Sequence, residues 1–379
     1  MEANLHIRGP HGTVCPNIFL DSWRAIFGRA ITSARSRRAD CTYRYAIGRE
    51  CLCPMRRVLS IHPCVPDVHH SFMLRYRVFG GVLSAPFPFP ELRSVEDGGE
   101  ADWTLCVEDS PPPELPCTLV GRDELTTGIE AALHQTPRGL RLVFDDTGTF
   151  DVTSSGAEVT WYPVANSDRE LVRIDILGRV LAVATHEQGL LCLHGSGVAF
   201  GGSGIGFLAP KGSGKSTLAL TLASLGARLL TDDTLPVDPR EAIARPGVHS
   251  VRLWSDAAER FGTLGDWRVG LSQKRTFDAL PADLVQHDPV PLTALYELIP
   301  VEGRAGAPLV QRTVLPAAQA TVTLMTHSKL GVLMGGVESI RVFDRCATLA
   351  SHVPVYRLEG ARTPESVESV ARTIVGWHS

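Results

Sequence analysis

Residues 209–217 carry the run Ala-Pro-Lys-Gly-Ser-Gly-Lys-Ser-Thr, and this run decides the fold of the C-terminal half. Two glycines two positions apart let main-chain N–H groups approach an anion with no Cβ in the way. The lysine after them adds a positive charge, and the serine hydroxyl can ligate a cation. The run is typical of a loop that binds phosphate groups between a β-strand and an α-helix. Its candidate binding residues are Ala209, Pro210, Lys211, Gly212, Ser213, Gly214, Lys215, Ser216 and Thr217.

Each member of the run has a defined task if the ligand is a nucleoside triphosphate. Lys215 can bridge the β- and γ-phosphates, and Ser216 can ligate Mg²⁺. A helix that starts at Ser216 adds the positive end of its dipole. The alternative is a glycine–serine turn in which Gly-Lys-Ser occurs by chance, but the pattern also predicts the strand before it and the helix after it.

The segments on both sides of the run predict regular structure. We expect strands at 190–200 and 205–208, joined by a tight turn at the glycine-rich residues 201–204. Further upstream, Ser167 and Glu170 have capping-box spacing at a helix start, and Gly189 is a reasonable stop. The apolar residues expected on the buried face of that helix recur every three or four positions: Leu171, Ile174, Leu177 and Leu181.

Residues 73–166 contain short segments that alternate or run apolar between turn residues, at 74–79, 140–144 and 158–162. This pattern predicts a smaller β-rich N-terminal domain at 73–166, followed by a second domain at 167–379 that contains the phosphate-binding run. The fold class is therefore α/β (α+β).

Residues 1–72 differ in composition from the rest of the chain. They contain ten Arg, no Lys and five acidic residues, which sum to +5, while the whole chain sums to −4. They show no sustained helical or strand period. We expect Met73 to be the natural start and 1–72 to come from an over-extended reading frame; the alternative is a basic, disordered arm.

The overall composition narrows the class of protein. A net charge of −4 gives no reason to expect nucleic acid or an anionic membrane as a partner. The longest apolar segment, 176–193, is interrupted by Arg179, His186 and Glu187, so it does not predict a membrane span. The cysteine pair Cys51 and Cys53 has no partner at zinc-ligand spacing. No secretory signal opens the chain, and we expect a reduced, cytoplasmic protein.

An acidic pair follows the phosphate-binding run at short distance. Asp232 and Asp233 come 17 and 18 residues after Lys215, at the end of a predicted strand at 227–231. One carboxylate can hold Mg²⁺ while the other accepts the proton of an incoming hydroxyl. An Asp pair at a strand end is often only a turn or cap, but its position after the loop favours a catalytic interpretation.

Together these residues resemble the catalytic core of the HPr kinase/phosphorylase family. His194 lies 21 residues before Lys215, then come the glycine-rich hairpin, the loop and the Asp pair, in the order and spacing of that family. The resemblance implies a P-loop kinase core of the HPr kinase/phosphoenolpyruvate carboxykinase type with a mixed sheet, preceded by the smaller β-rich domain. It implies ATP and Mg²⁺ as cofactors. It also implies Asp232 as catalytic base, His194 as its assistant, Lys215 on the phosphates, and Ser216 and Asp233 at the metal. Without the resemblance, the sequence favours a buried, hydrogen-bonded His194 over a catalytic one.

Two departures from the family change what it implies. Ala209 replaces the first glycine of the loop, which many loops of this type tolerate. The Arg-Gly-Leu-Gly-like stretch associated with phosphorylase activity has no clear counterpart after Asp233. The likeness to shorter family members, including tailoring kinases of ribosomally made peptides, therefore favours a serine hydroxyl of a peptide or protein as acceptor. Relatives of this kind often form multimers, which leaves a homo-oligomer open.

Three further cations are candidate contacts to the transferred phosphate: Arg252, Lys274 and Arg275. Each could equally be a solvated surface charge. The leading hypothesis is an ATP-dependent serine kinase. The alternatives are a nucleotide-sensing regulatory protein, HPr kinase/phosphorylase acting on HPr itself, and phosphoenolpyruvate carboxykinase, which needs more metal ligands and a longer chain.

Overall fold

The computed structural model describes residues 73–378 apart from 97–98, 127, 263–264, 266, 270–273, 279, 302–309 and 362–365. The chain divides into two units, Met1–Asp67 and Val68–Ser379, and every described residue belongs to the second. Both hypotheses for residues 1–72, the over-extended reading frame and the basic arm, lie outside the described residues, as do Cys51 and Cys53.

A nine-stranded sheet occupies the first part of the described chain. Its strands are β1 Leu74–Val78, β2 Gly81–Ala85, β3 Arg93–Ser94, β4 Trp103–Val107, β5 Thr118–Thr126, β6 Ile129–Thr136, β7 Gly139–Phe144, β8 Gly148–Thr153 and β9 Glu158–Pro163. Their order across the sheet is β3-β1-β2-β4-β9-β8-β7-β6-β5. The strands predicted at 74–79, 140–144 and 158–162 are all present. Alternate residues of β8 are buried, as expected when one face of a sheet covers a core.

Helix α1 follows and consists of Arg169–Asp175, a π-helical turn at Ile176–Val180 and Leu181–Glu187. The predicted cap at Ser167 is wrong by one residue, because the Asp168 carboxylate accepts the hydrogen bond from the Glu170 amide. The predicted stop at Gly189 is confirmed, since this residue has a φ of +95° just after the helix.

The buried face of α1 also differs from the prediction. Leu177 and Leu181 are buried, but Leu171 and Ile174 are only half-buried. Val172 and Ile176 take their place in the core. The π-helical turn inserts an extra residue, so the residues on each side of it no longer share one 3.6-residue period.

A second, mixed sheet carries the C-terminal half. Its strands are β10 Leu191–Phe200, β11 Ser203–Leu208, β12 Arg228–Thr231, β13 Thr234–Asp238, β14 Ile243–Ala244, β18 Val290–Val301, β19 Val310–Val314 and β20 Val355–Ala361. Strands β10 and β11 form the predicted hairpin around Gly201 and Gly202, whose φ values are +52° and +86°. Two consecutive positive φ angles match the right-handed twist of the strands, and glycine adopts them readily.

The strand order places one parallel group in the middle of this sheet. Strand β11 runs parallel to β18, and β18 runs parallel to β20. Strand β12 lies on the other side of β10, and β19 pairs antiparallel with β20. A separate three-stranded sheet contains β15 Val251–Leu253, β16 Arg268–Val269 and β17 Arg275–Phe277. The molecule is thus a mixed α/β protein with several sheets.

Five more helices cover the second sheet or connect its strands: α2 Lys215–Ser224, α3 Ser255–Glu259, α4 Ala317–Thr326, α5 Gly336–His352 and α6 Ser366–His378. Phe207 and Tyr296 belong to one apolar cluster, together with side chains of α2 and α6. Leu208 and Leu295, their neighbours in sequence, belong to a second cluster that also contains residues of the nine-stranded sheet. The second sheet therefore has two buried faces.

The second apolar cluster extends across the predicted domain boundary at 166/167. Trp161 and Phe150 of the nine-stranded sheet and Val172 of α1 share it with Leu193 of β10. That boundary therefore stays a prediction. None of the helices in the described part of the chain is long and apolar enough to cross a membrane.

Candidate active site

The loop between β11 and α2, which we call the glycine loop (residues 209–214), has two left-handed glycines. Gly212 and Gly214 have φ values of +82° and +81°. An added Cβ at either position would meet no atom within 4 Å, so backbone conformation alone explains the preference for glycine. Gly214 is the N-cap of α2 and Lys215 is its first residue. The strand and helix predicted on the two sides of the loop are both present.

The Lys215 side chain folds back over the glycine loop. Its amine donates hydrogen bonds to the carbonyls of Ala209 at 2.6 Å and Pro210 at 3.1 Å. The Nε2 atom of His194 lies 3.3 Å from the same amine. Burial lowers the pKa of Lys215 to about 8, against the opposing effect of the two nearby aspartates. The Lys215 amine is therefore a buried positive charge at the glycine loop, since only 7% of this residue is exposed.

Asp232 lies just beyond β12 and is 6% exposed. Its Oδ1 atom accepts hydrogen bonds from the hydroxyls of Ser216 at 2.8 Å and Ser196 at 2.6 Å. Strand β10 pairs with β11 on one side and β12 on the other, so it brings Ser196 between the glycine loop and the acidic pair. The sequence motif did not point to Ser196, because its part in the site follows from strand pairing alone.

Asp233 makes different contacts from those of its neighbour. Its φ of +73° is left-handed, a conformation that aspartate tolerates better than most residues. Its carboxylate contacts the Lys329 amine and lies 3.3 Å from His194 Nδ1. Burial alone would raise the pKa of Asp233, but Lys329, His194 and Arg252 outweigh it and hold the pKa well below its usual range. The side chain is 36% exposed, so solvent reaches part of this ionised carboxylate and the rest is covered.

Lys329 is a site residue that sequence reasoning missed. It lies beyond α4, 96 residues after Asp233, and no motif surrounds it. Its main-chain amide donates to the Cys192 carbonyl at 2.8 Å, which fixes the segment against β10. A contact over such a sequence separation depends on the tertiary fold, so the local pattern around Lys329 contains no signal for it.

Two of the three additional candidate cations, Arg252 and Lys274, interact electrostatically with Asp233. Burial lowers the pKa of Lys274, and the nearby charges of Arg252 and Lys211 lower it further. The Lys274 amine also lies 5.3 Å from the centre of the Trp254 ring. Arg275 lies in β17, opposite Leu253 and Val269, and its buried Nε has no hydrogen-bond partner in the described part of the chain.

A second polar group lies on the strands next to the glycine loop. Glu297 of β18 is in register with Leu208, the last residue before the loop, and with Arg357 of β20. Its carboxylate lies 3.9 Å from His327 Nε2 and 3.8 Å from Arg357 Nε. The nearby His327 side chain lowers the pKa of Glu297 against the effect of burial. The His327 carbonyl in turn accepts from the His194 amide at 2.7 Å.

Comparison with known proteins does not assign the chain to a family. No protein-family model matches it, and no curated protein matches it in sequence. Among solved structures, the Hpr(Ser) kinase/phosphatase from Coxiella burnetii is similar over 49% of this chain and 89% of that chain. The sequence identity is 14% and the TM-score is 0.26. A similarity of this size does not establish a common fold, and the resemblance described above stays a prediction.

Proposed function

We propose that the chain is an ATP-dependent kinase that transfers the γ-phosphoryl group to a hydroxyl, in the first instance a serine of a peptide or protein. The observation that carries the proposal is one cluster of contacts. Buried Lys215 lies over the glycine loop, and the Ser216 hydroxyl at the start of α2 donates a hydrogen bond to Asp232. Asp233 follows Asp232 and contacts Lys329. Phosphoryl transfer requires little more than such positioning and charge neutralisation.

The phosphates of the nucleotide would lie against the glycine loop. Main-chain amides around Gly212 and Gly214 and the N-terminus of α2 would face their oxygens. Lys215 would exchange its bonds to the Ala209 and Pro210 carbonyls for bonds to phosphate oxygens. Because phosphate is charged and a carbonyl is neutral, this exchange strengthens the hydrogen bonds of the amine.

The chain offers oxygen atoms that suit Mg²⁺. Ser216 Oγ and Asp232 Oδ1 are 2.8 Å apart, and neighbouring ligands of an octahedral magnesium ion are separated by about 3 Å. When bound, Mg²⁺ supplies positive charge to the β- and γ-phosphoryl oxygens. We therefore propose Ser216 and Asp232 as the metal-binding pair, with Asp232 in the role that the family resemblance implies for Asp233.

Asp233 is then the better candidate for the catalytic base. Its carboxylate is ionised and its side chain is 36% exposed, whereas Asp232 is buried and hydrogen-bonded to Ser196 and Ser216. A serine on a peptide can reach an exposed carboxylate more easily than a buried one. Asp233 would take the hydroxyl proton while the serine oxygen bonds to the γ-phosphorus. The bond between that phosphorus and the bridging oxygen would break, and ADP would leave.

His194 and Lys329 would position this base. Both contact the Asp233 carboxylate, and His194 also lies 3.3 Å from the Lys215 amine. His194 therefore connects the base to the cation that would hold the phosphates. In this arrangement it assists Asp233 and not Asp232.

An experiment can distinguish the roles proposed for Asp232 and Asp233. Purified full-length protein is incubated with γ-labelled ATP, Mg²⁺ and serine-containing candidate peptides, and label transfer is measured over a range of Mg²⁺ concentrations. We expect Asp233→Asn to reduce the transfer rate about 10²–10⁴-fold with little change in the Mg²⁺ requirement. Asp232→Asn should raise the Mg²⁺ concentration needed for binding of ATP. The reverse pattern would restore the original assignment of base and metal ligand.

A nucleotide-binding regulatory protein is the rival function. The observation that favours it is the ion pair between Lys329 and Asp233, which stabilises the carboxylate without any acceptor. Such a protein would bind ATP tightly and transfer label neither to a peptide nor to water. If the wild-type protein behaves in this way with every acceptor tested, the kinase proposal is rejected in favour of the regulatory one.

A further inference from the structure

A cleft of about 490 Å³ is lined by the end of α1, the turn after β13 and helix α5, and we call it the arginine cleft. None of the described residues that line it belongs to the glycine loop or to the acidic pair. Small-molecule sites in proteins commonly have volumes of about 300–1,000 Å³, so the cleft is large enough for such a ligand. Its ionisable lining consists of three basic and three acidic side chains: Arg240, Arg341, Arg345, Glu187, Asp238 and Asp344.

Two of these six side chains, Arg341 and Glu187, bind each other. Arg341 Nη1 donates to Glu187 Oε1 at 3.0 Å and to Glu338 Oε2 at 2.9 Å. Together with His186, which lies 2.8 Å from Glu338, the two glutamates are of the residue types that ligate metal ions. The guanidinium of Arg341 already bonds both carboxylates, however. This group is therefore a structural ion-pair network and leaves the other four charges to the cleft.

Arg345 has an open hydrogen-bonding edge. Its Nη1 atom donates to His186 Nδ1 at 2.6 Å and to the Leu190 carbonyl at 3.0 Å. Within the described part of the chain, its Nε and Nη2 atoms have no partner, and solvent reaches both. Arg141 uses the same two atoms to hold both carboxylate oxygens of Asp151. Arg345 therefore keeps free the fork that suits a carboxylate.

The remaining three charges of the cleft, Arg240, Asp238 and Asp344, also lack ionic partners. Asp238 Oδ1 accepts hydrogen bonds from the main-chain amides of Arg240 and Glu241 at 2.9 and 3.2 Å. Among the described residues, no ion pair contains any of these three side chains or Arg345. Two positive and two negative groups thus line one cleft without pairing with one another.

This balance of charges favours a zwitterionic ligand over a plain anion. A phosphate ester carries roughly 1.5 to 2 negative charges at pH 7 and would be repelled by the acidic side chains of the cleft. An α-amino acid has no net charge from its main-chain groups. Its planar carboxylate fits a guanidinium fork, and its ammonium group offers three donors to a carboxylate.

We propose that the arginine cleft binds a free α-amino acid, with its carboxylate on Nε and Nη2 of Arg345 and its ammonium group on Asp344. The inference goes beyond the proposed kinase function and does not depend on it, because it uses no residue of the glycine loop or of the acidic pair.

The test measures binding of the twenty standard L-amino acids, one at a time, to the purified full-length protein by titration calorimetry. We expect at least one of them to bind with a Kd below about 1 mM. For the tightest of them, the N-acetyl form lacks the ammonium charge and the primary amide lacks the carboxylate charge. Each should bind at least about tenfold more weakly. If none of the twenty binds below about 1 mM, the proposal is overturned.

Two variants locate the binding. Arg345→Lys keeps a positive charge but loses the fork, so the free amino acid should bind about tenfold more weakly or worse. Asp344→Asn removes one negative charge and should weaken the free amino acid by a similar factor, while the N-acetyl form binds as it does to the wild-type protein. The matched control is Asp109→Asn, an exposed aspartate outside the cleft, where both affinities should stay at wild-type values.

Asp344 is exposed, so its substitution leaves folding intact and decides the matter if Arg345→Lys lowers the thermal stability. Wild-type affinity for the amino acid in Asp344→Asn, or equal weakening of the free and N-acetyl forms, would overturn the assignment of the ammonium group. Acetate and inorganic phosphate are titrated in parallel. If either binds as tightly as the amino acid, the cleft is an anion site only and the zwitterion proposal fails.

Discussion

In the nine-stranded sheet the Arg141 guanidinium donates to both carboxylate oxygens of Asp151, at 2.5 and 2.7 Å, whereas the Lys215 amine donates to main-chain carbonyls of its own loop. Both residues are buried, with exposures of 8% and 7%. The bond to Asp151 raises the pKa of Arg141, while burial lowers the pKa of Lys215 to about 8. None of the ion pairs among the described residues includes Lys215.

We propose that the difference separates a cation that stabilises the fold, Arg141, from one that binds a ligand, Lys215. The positive charge of Arg141 is compensated within the sheet by a bidentate carboxylate, which is the strong form of a protein hydrogen bond. The charge of Lys215 is compensated by the dipoles of main-chain carbonyls in the glycine loop. Asp232 and Asp233 also act on it, but both lie beyond ion-pair distance. A buried charge of this kind is costly to the fold. Under the proposed function, a phosphate group bound at the glycine loop would compensate this charge.

Lys215→Met gives the largest expected effect in this comparison. Methionine has a similar length but no charge, so the variant should bind ATP roughly 10²–10³-fold more weakly. Its free energy of unfolding should stay within about 1 kcal/mol of the wild-type value, because loss of two hydrogen bonds is offset by loss of a buried charge. Calorimetric titration with ATP and denaturant unfolding measure the two quantities. Destabilisation by several kcal/mol would make Lys215 a structural residue like Arg141.

Arg141→Met is the matched variant in the other sheet. Removing the guanidinium leaves the Asp151 carboxylate without its bidentate partner and frees the Pro113 carbonyl from its hydrogen bond to Arg141. We expect the free energy of unfolding to fall by about 3 kcal/mol, the range for breaking a buried pair. The affinity of the folded protein for ATP should not change. Weaker ATP binding at unchanged stability would contradict the division between the two cations.

The sequence predicted the parts of the site that are close together in the chain. The glycines, Lys215 and Ser216 form a local pattern whose backbone demands are fixed by residue type, and the flanking strand and helix are present. Ser196, Lys329 and Glu297 could not be predicted in this way. They come to the site through pairing of β10 with β12, packing beyond α4, and the register of β18 with β11.

Helix α1 shows why element boundaries and faces were harder to predict than elements. Ser167 and Asp168 are both good capping residues one position apart, and only the hydrogen bond to the Glu170 amide distinguishes them. The π-helical turn at Ile176–Val180 changes which residues face the core, and no periodicity rule anticipates such a turn. The sequence pattern predicted a helix correctly but assigned its buried face partly wrongly.

The pH dependence of ATP binding sharpens the contrast between the two cations. The free protein loses the Lys215 proton near pH 8, so above this pH binding of the phosphates requires proton uptake. The affinity for ATP should therefore be level below pH 8 and fall by up to about tenfold per pH unit above it. Lys215→Arg keeps its charge at every accessible pH and should show a level profile. A falling profile in that variant would assign the titration to another group.

Ser196→Ala gives the smallest expected effect. Asp232 Oδ1 accepts hydrogen bonds from two hydroxyls, and the substitution removes only one of them. Asp232 Oδ1 would retain the hydrogen bond from Ser216, and the variant should lose about 1 kcal/mol of unfolding free energy. If Asp232 is a metal ligand, the lost bond also leaves its carboxylate freer to turn, and the Mg²⁺ requirement for ATP binding should rise about two- to threefold. Thr185→Val is a control, because it removes another buried hydroxyl that bonds to the Leu181 and Ala182 carbonyls within α1. An unchanged Mg²⁺ requirement in Ser196→Ala, or an equal rise in Thr185→Val, would contradict the assignment of Asp232 to the metal site.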